Sequence, residues 1–264
     1  MFERIKIDIA DGIAEVCLNR PEKKNALDPL FFEELIAAGE SLHGRNDLRA
    51  VVMYGAGGCF CAGLDTSSLG GMASDLDATR DILRNPPAGD RGNKFQRPTL
   101  AWQEIEAPVI AAVEGVAFGG GIQIALAADF RFAAPDARLS IMEARWGIIP
   151  DMGITQYLPQ LMPADRAKDL IMTGRIVDAD EALSLGLVTR VCDDPLAQAR
   201  AYAKMLSLKN PEAVRANKQM INAVWGAGDD ALRMEADLQA DIIGSANQME
   251  AVMSEMQKRA PVWK

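Results

Sequence analysis

The chain has 264 residues, 49% hydrophobic and 25% charged, which suits one large domain or one domain with a helical appendage. Its 28 basic and 37 acidic residues leave a net charge of −9, which argues against a nucleic-acid binder built on a basic face. No apolar run approaches the ~18 residues of a membrane span, and the opening MFERIKIDIA has neither a secretory nor a transit-peptide build, so a cytoplasmic protein is expected.

The first fifty-odd residues read as strand, strand, helix, strand. Ile5, Ile7 and Ile9 alternate with polar residues, and Ile13, Val16 and Leu18 follow the Asp11-Gly12 turn. Asp28 is a natural N-cap with Pro29 behind it. Phe31, Leu35, Ala38 and Leu42 then recur at helical spacing up to Gly44. RAVVMYG (49–55) predicts a buried strand. The segment 66–100 is irregular and rich in Gly, Pro and charge, which suggests a substrate-side lid with some helix in it. APVIAAV (107–113) predicts a strand, EGVAFGGG a glycine-rich turn, IQIALAA (122–128) a buried helix and DFRFAAP (129–135) another strand. Such repetition implies an α/β layer structure with parallel strands.

From Pro163 onward the pattern is almost wholly helical. One helix starts at Asn210-Pro211 and carries Val214, Ile221 and Val224. A second carries Leu232, Ala236 and Ile243, and a third Met249, Val252, Met253 and Met256. The methionines read as packing residues at an interface. No internal repeat is visible. Cys17, Cys59, Cys61 and Cys192 are too few and scattered for a disulfide framework and read as reduced thiols. The single histidine, His43, reads as a surface residue. Too few ligands remain for a zinc site, so no metal is expected, and a Ser-His-Asp or Cys-His nucleophile is a poor candidate.

Two turns, FCAGLD (60–65) and FGGGIQ (118–123), each follow a strand and lead toward a helix. Backbone N–H groups in such places make good oxyanion donors. Taken in order with LNRPEKKNALD (18–28), APVIAAVEGVAFGGG (107–121), AAD (127–129), the PDAR and ME segment (135–143), GIIPDMGITQYLP (147–159), LIMTGRIVDADEALSLGLVTRV (170–191) and KRAPVWK (258–264), they carry a likeness over nearly the whole chain. The sequence resembles the crotonase, or enoyl-CoA hydratase/isomerase, superfamily.

The resemblance implies a spiral of ββα units, with a core over residues 1–195 and a helical region over 196–264 that assembles a homotrimer or a dimer of trimers. It implies an acyl-coenzyme A thioester as substrate, with coenzyme A part of that substrate and no separate cofactor. The oxyanion hole maps onto the N–H groups of Leu64 and Gly120, and coenzyme A contacts onto Arg20, Lys23, Lys24, Ala62, Asp65 and Lys258. Lysine is common in relatives just after the proline of the first segment, where this chain has Glu22.

Family hydratases hold water between two glutamates. The matching positions here are Gln123, which neither takes nor gives a proton at neutral pH, and Glu143. Asp151 lies eight positions after Glu143, the Glu-then-Asp spacing of the family's dienoyl-CoA isomerases. There the two carboxyls face opposite ends of a conjugated dienolate and move a proton between them. Those isomerases keep an acid at the position of Gln123, so the match is partial. The expected activity is enoyl- or dienoyl-CoA double-bond isomerisation by Glu143 and Asp151. The alternatives are hydration by Glu143 with a water held by Gln123, and a non-catalytic acyl-CoA-binding protein.

Overall fold

Alternating isoleucines and a two-residue turn build the first hairpin as expected. β1 (Ile5–Ala10) pairs antiparallel with β2 (Ile13–Leu18), Ile5 opposite Leu18, with Asp11 and Gly12 both at positive φ. The computed structural model describes residues 2–68, 75–226 and 228–263. The rest of the main sheet is parallel. β3 (Ala50–Gly55), β4 (Val109–Val113), β6 (Phe130–Ala133) and β9 (Arg190–Val191) continue it in the order β1-β2-β3-β4-β6-β9.

Helix α1 (Pro29–Leu42) starts where the sequence marks it. The Asp28 carboxylate accepts from the Phe31 N–H at 2.9 Å, and Phe31, Leu35, Ala38 and Leu42 face the core. Glu34 stands on the same face because its carboxylate accepts the N–H groups of Glu3, Arg4 and Ile5, tying the first strand to the helix.

A second, small sheet holds β5 (Val116–Phe118), β7 (Arg138–Ser140) and β8 (Val177–Asp178). Main-sheet strands send the chain into this layer: β4 leads to β5, β6 leads to β7, and the segment after β3 bridges Cys61 to Ala117. The architecture is α/β with successive strand–strand–helix units. The repeat lies in the geometry and leaves no trace in the residue pattern. β5 corrects the reading of 114–121 as turn alone, because a three-residue strand is too short to show alternation. β8 and β9, two residues each, likewise interrupt the helical stretch expected after Pro163.

Between these strands lie α2 (Leu76–Arg84), α3 (Arg97–Gln103), α4 (Gly120–Ala127), α5 (Ile154–Tyr157), α6 (Ala164–Thr173) and α7 (Ala179–Ser184). α8 (Pro195–Ser207) covers one face of the main sheet, where Ala199 and Ala203 meet Ala50, Val52, Ile110, Ala112 and Phe132. The larger core, with Phe31, Phe60 and Trp102, fills the other face. α9 (Pro211–Trp225), α10 (Asp229–Ile242) and α11 (Ala246–Gln257) follow.

The segment expected to form a lid contains α2 and α3, while its residues 69–74, with Gly70 and Gly71, lie outside the described residues. α2 is held under α10. Arg80 donates to the carbonyls of Ala240 and Ile243, and Leu83 is buried against the same two residues. No helix of the described residues is long and apolar enough to cross a membrane.

Candidate active site

Two backbone turns form one side of a cavity of about 380 Å3. The first, residues 60–65, is fixed by its neighbours: the Leu27 N–H donates to the Gly63 carbonyl at 2.8 Å and the Asp65 N–H to the Leu27 carbonyl at 2.9 Å. The Leu64 N–H between them has no acceptor among the described residues. The second turn leads into α4. Gly119 donates to the Ser140 carbonyl at 2.9 Å, and the N–H of Gly120, the first residue of α4, has no acceptor within the helix. The helix dipole adds positive potential at this point.

Glycine is required where the turns meet. Gly63 sits at φ +88°, and a Cβ there would lie 2.6 Å from the Phe118 carbonyl oxygen. The Cys61 carbonyl, which accepts from the Phe118 N–H at 3.0 Å, completes the junction. Leu64 and Gly120 thus line the same cavity with free donors, as an oxyanion hole requires.

The carboxyls line the same cavity, with Glu143 Oε1 3.5 Å from where a Cβ on Gly119 would stand. Glu143 opens the 3-10 turn Glu143–Trp146 after β7 and is 5% exposed. Its Oε1 accepts from the Gln123 amide at 2.7 Å, while its buried Oε2 has no hydrogen-bond partner among the described residues. The Gln123 carbonyl oxygen in turn accepts the Met152 N–H at 3.0 Å. The amide is therefore clasped between Glu143 and the next turn of chain. Burial pushes the Glu143 carboxyl up to about 7. The Gln123 hydrogen bond and its own N–H work against that rise, and the charge of Glu235 adds to it.

Asp151 stands half-buried in the cavity wall beside Met152. Burial, then the charges of Glu235 and Glu143, hold its carboxyl well above the usual range. Apolar walls come from Leu27, Phe32, Ile82, Phe95, Trp146 and Ile148, so residues of the expected lid do face the site.

Gln123, Glu143, Asp151, Leu64, Gly120 and Ala62 thus come together in one cavity. The remaining proposed coenzyme A contacts stand outside its walls. Lys23 and Lys24 are exposed, and the Lys24 carbonyl accepts the Ala62 N–H at 2.9 Å, which brings their turn to the rim. Arg20 donates to the Asp65 carboxylate at 2.7 Å and to the Ala26 carbonyl at 2.8 Å. Hydrogen bonds from Ser67 and Arg20 hold that carboxyl down to about 2. Lys258 caps α11 in the left-handed conformation, exposed. His43 is exposed and pairs with Glu106 at 3.4 Å.

Two residues escaped the sequence reading: Glu235, 2% exposed, and Gln239, 1% exposed, both on α10. Leu232, Glu235, Ala236, Gln239, Ala240 and Ile243 form one buried stripe at helical spacing. The signal that finds Glu235 is a charged residue on an apolar face.

A family model described as enoyl-CoA hydratase/isomerase matches residues 8–264. The chain is 34% identical to the mitochondrial Delta(3,5)-Delta(2,4)-dienoyl-CoA isomerase of Mus musculus, covering 98% of this chain and 81% of that protein. It is also 34% identical to the short-chain-enoyl-CoA hydratase of Clostridium acetobutylicum, covering 94% of this chain and 92% of the relative. Among solved structures, an enoyl-CoA hydratase from Mycobacterium avium subsp. paratuberculosis K-10 superposes with a TM-score of 0.84 at 25% identity over 100% of both chains.

Proposed function

The chain belongs to the enoyl-CoA hydratase/isomerase family, and from that premise we propose that it isomerises a conjugated acyl-CoA thioester through a bound dienolate. Glu143 takes the proton from the carbon next to the thioester, and the electron pair moves onto the thioester oxygen. The N–H groups of Leu64 and Gly120 stabilise that oxygen, a contribution of roughly 2.7–4 kcal/mol for one such donor. Asp151 then gives its proton to the far end of the dienolate as the double bonds shift. One turnover leaves Glu143 protonated and Asp151 charged, and exchange with solvent resets the pair.

Gln123 carries this reading. Hydration in this family uses a second carboxyl where this chain has an amide, and that amide is already committed to Glu143 and the Met152 N–H. The different surroundings of the two carboxyls support the division of labour. Glu143, near 7 and steadied by Gln123, is available as a base at neutral pH. Asp151, raised by burial and then by the charges of Glu235 and Glu143, is assigned the role of proton donor.

Lys23 and Lys24 are assigned the coenzyme A phosphates and Ala62 the adenine, with Lys258 as a further contact. Arg20, through Asp65, holds the turn that presents the lysines. The exposed Met234, Leu238, Met249, Met253 and Met256 on α10 and α11 suit a trimer or a dimer of trimers, and a stable monomer by light scattering at micromolar concentration would contradict that.

The activity is tested by incubation with a 3,5-dienoyl-CoA and with crotonyl-CoA in deuterated water. Double-bond migration with deuterium in the product is expected from the dienoyl substrate, and slow hydration from crotonyl-CoA. Fast hydration without migration would assign the site to a hydratase. Binding with neither exchange nor conversion would assign it to a non-catalytic binder.

A further inference from the structure

Helix α10 reaches the catalytic cavity from the far end of the chain and holds the turn bearing Asp151 on both sides. Its Gln239 accepts the Ile149 N–H at 3.1 Å. One helical turn earlier, Glu235 accepts the Gly153 N–H at 2.6 Å, the Thr155 N–H at 3.2 Å and the Thr155 hydroxyl at 3.0 Å. Gln96 adds a fourth donor to Glu235 at 3.2 Å. Asp151 sits between the two grips. Gln239 touches the cavity, whereas Glu235 stands behind its wall.

A carboxyl surrounded by donors is stabilised as the carboxylate, since each N–H would lose an acceptor lone pair to a proton. Burial works against this and raises Glu235 above its ordinary value. Four donors converge on its two oxygens and oppose that rise, which favours the carboxylate form.

We propose that Glu235 is a positioning residue for the reaction: it anchors the 149–155 turn through Gly153 and Thr155 and sets an acidic side chain behind Asp151, which faces the cavity as the acid. The inference rests on the reading of Asp151 as proton donor. The groups around Asp151 are consistent with it. Glu143 comes from the turn after β7 and Glu235 from α10, both acidic, while Gln123 of α4 is neutral. Lys94 lines the cavity and stands 3.7 Å from Glu33, Arg91 donates to Gln103 and Gln156, and the Tyr157 hydroxyl of α5 donates to Thr99. Among the described residues no ion pair reaches Asp151, Glu143 or Glu235.

The sequence gives α10 no such task, since family likeness points only to assembly for the C-terminal helices. The geometry adds a second one. The helix whose outer face carries Met234 and Leu238 uses its inner face to set the protonation of the active site.

The test is a 13C NMR titration of the protein labelled at aspartate carboxyls, with the Asp151 signal assigned by its loss in Asp151→Asn. The full-length native protein should show Asp151 protonated at pH 7. In Glu235→Gln, which keeps an acceptor for one N–H and removes the charge, the Asp151 midpoint should fall by about one pH unit or more, equivalent to at least a tenfold change in proton affinity. The alkaline limb of the rate profile should move down with it, KM changing little. Glu235→Asp, which restores the charge, should bring the midpoint most of the way back. An unmoved Asp151 midpoint in Glu235→Gln, or a uniform loss of rate at every pH, would reduce Glu235 to a structural part and overturn the proposal. If Glu235→Gln does not fold, Glu235→Asp and the native titration still decide, since an Asp151 ionised at pH 7 in the native protein overturns the proposal. The titration does not depend on which reaction is catalysed. Failure of the isomerase reading would instead appear as absence of double-bond migration in the native enzyme.

Discussion

The two sides of the cavity are built in different ways. The oxyanion side is backbone: Leu64 and Gly120 offer N–H groups held by turns that backbone hydrogen bonds tie to one another and to Leu27 and Ser140. The carboxyl side is side chain, and its parts come from four separate stretches: Gln123 on α4, Glu143 after β7, Asp151 before α5 and Glu235 on α10. In the proposed mechanism charge stabilisation falls to the half that carries the glycine turns. In the same mechanism the direction of proton transfer falls to the half built from side chains. Relatives sharing about a third of their residues with this chain bear the names of an isomerase and of a hydratase, which is what such a division allows.

The largest effects should come from breaking the carboxyl side. Glu143→Gln is expected to lower turnover by ~10²–10⁴, and Asp151→Asn by ~10² or more, with acyl-CoA affinity little changed because binding draws on the backbone turns and the coenzyme A contacts. The double variant should be little worse than the poorer single, since the two groups act in one transfer. Additive losses in steady-state kinetics would show that they work separately.

The oxyanion side should break through Gly63. Alanine there combines a φ of +88° with a Cβ 2.6 Å from the Phe118 carbonyl, so one of the two turns must move. A destabilisation of roughly 1–3 kcal/mol in denaturant unfolding is expected, together with a loss of turnover on dienoyl-CoA. Unchanged kinetics would mean that the junction does not set the donor geometry.

The two sides also differ in pH behaviour, because only the carboxyl side titrates. Glu143 goes from an ordinary 4.5 to about 7 on folding, so its stabilising contribution is complete below about pH 4.5 and lost as pH rises through 7. Glu143→Gln removes that liability. Relative to the native protein it should gain up to roughly 3 kcal/mol more at pH 8 than at pH 4, at 1.36 kcal/mol per tenfold, read from thermal melts. Turnover of the native enzyme should rise through about pH 7 and fall again once Asp151 loses its proton.

What the sequence revealed follows the same division. The glycine turns, the Asp28 cap, the alternating isoleucines and the buried strands are local patterns, whereas Leu64 and Gly120 were named through the family likeness, and both line one cavity. Glu143 and Asp151 were found through spacing and likeness. The clasp on Gln123 was not legible, because it depends on Met152 folding back 29 residues later. Glu235 was hidden in a helix read only for its apolar residues, although its place on the buried stripe marked it. The small-sheet strands were missed because two or three residues are too few to display a period.

The smallest expected effect sharpens the comparison without breaking it. Gln123→Glu would put a second carboxyl about where the amide now contacts Glu143 at 2.7 Å, so the pair would share a proton. Hydration of crotonyl-CoA should rise measurably, at the expense of isomerisation. No gain with the fold intact would mean that cavity shape, not this acid, selects the reaction.

The division of labour between the two carboxyls is tested most directly with Asp151→Asn in deuterated water, following both exchange next to the thioester and migration of the double bonds. With Glu143 still in place as base, exchange is expected to continue while migration falls by ~10² or more. Migration at the native rate in that variant would remove Asp151 from the mechanism and leave Glu143 to act alone.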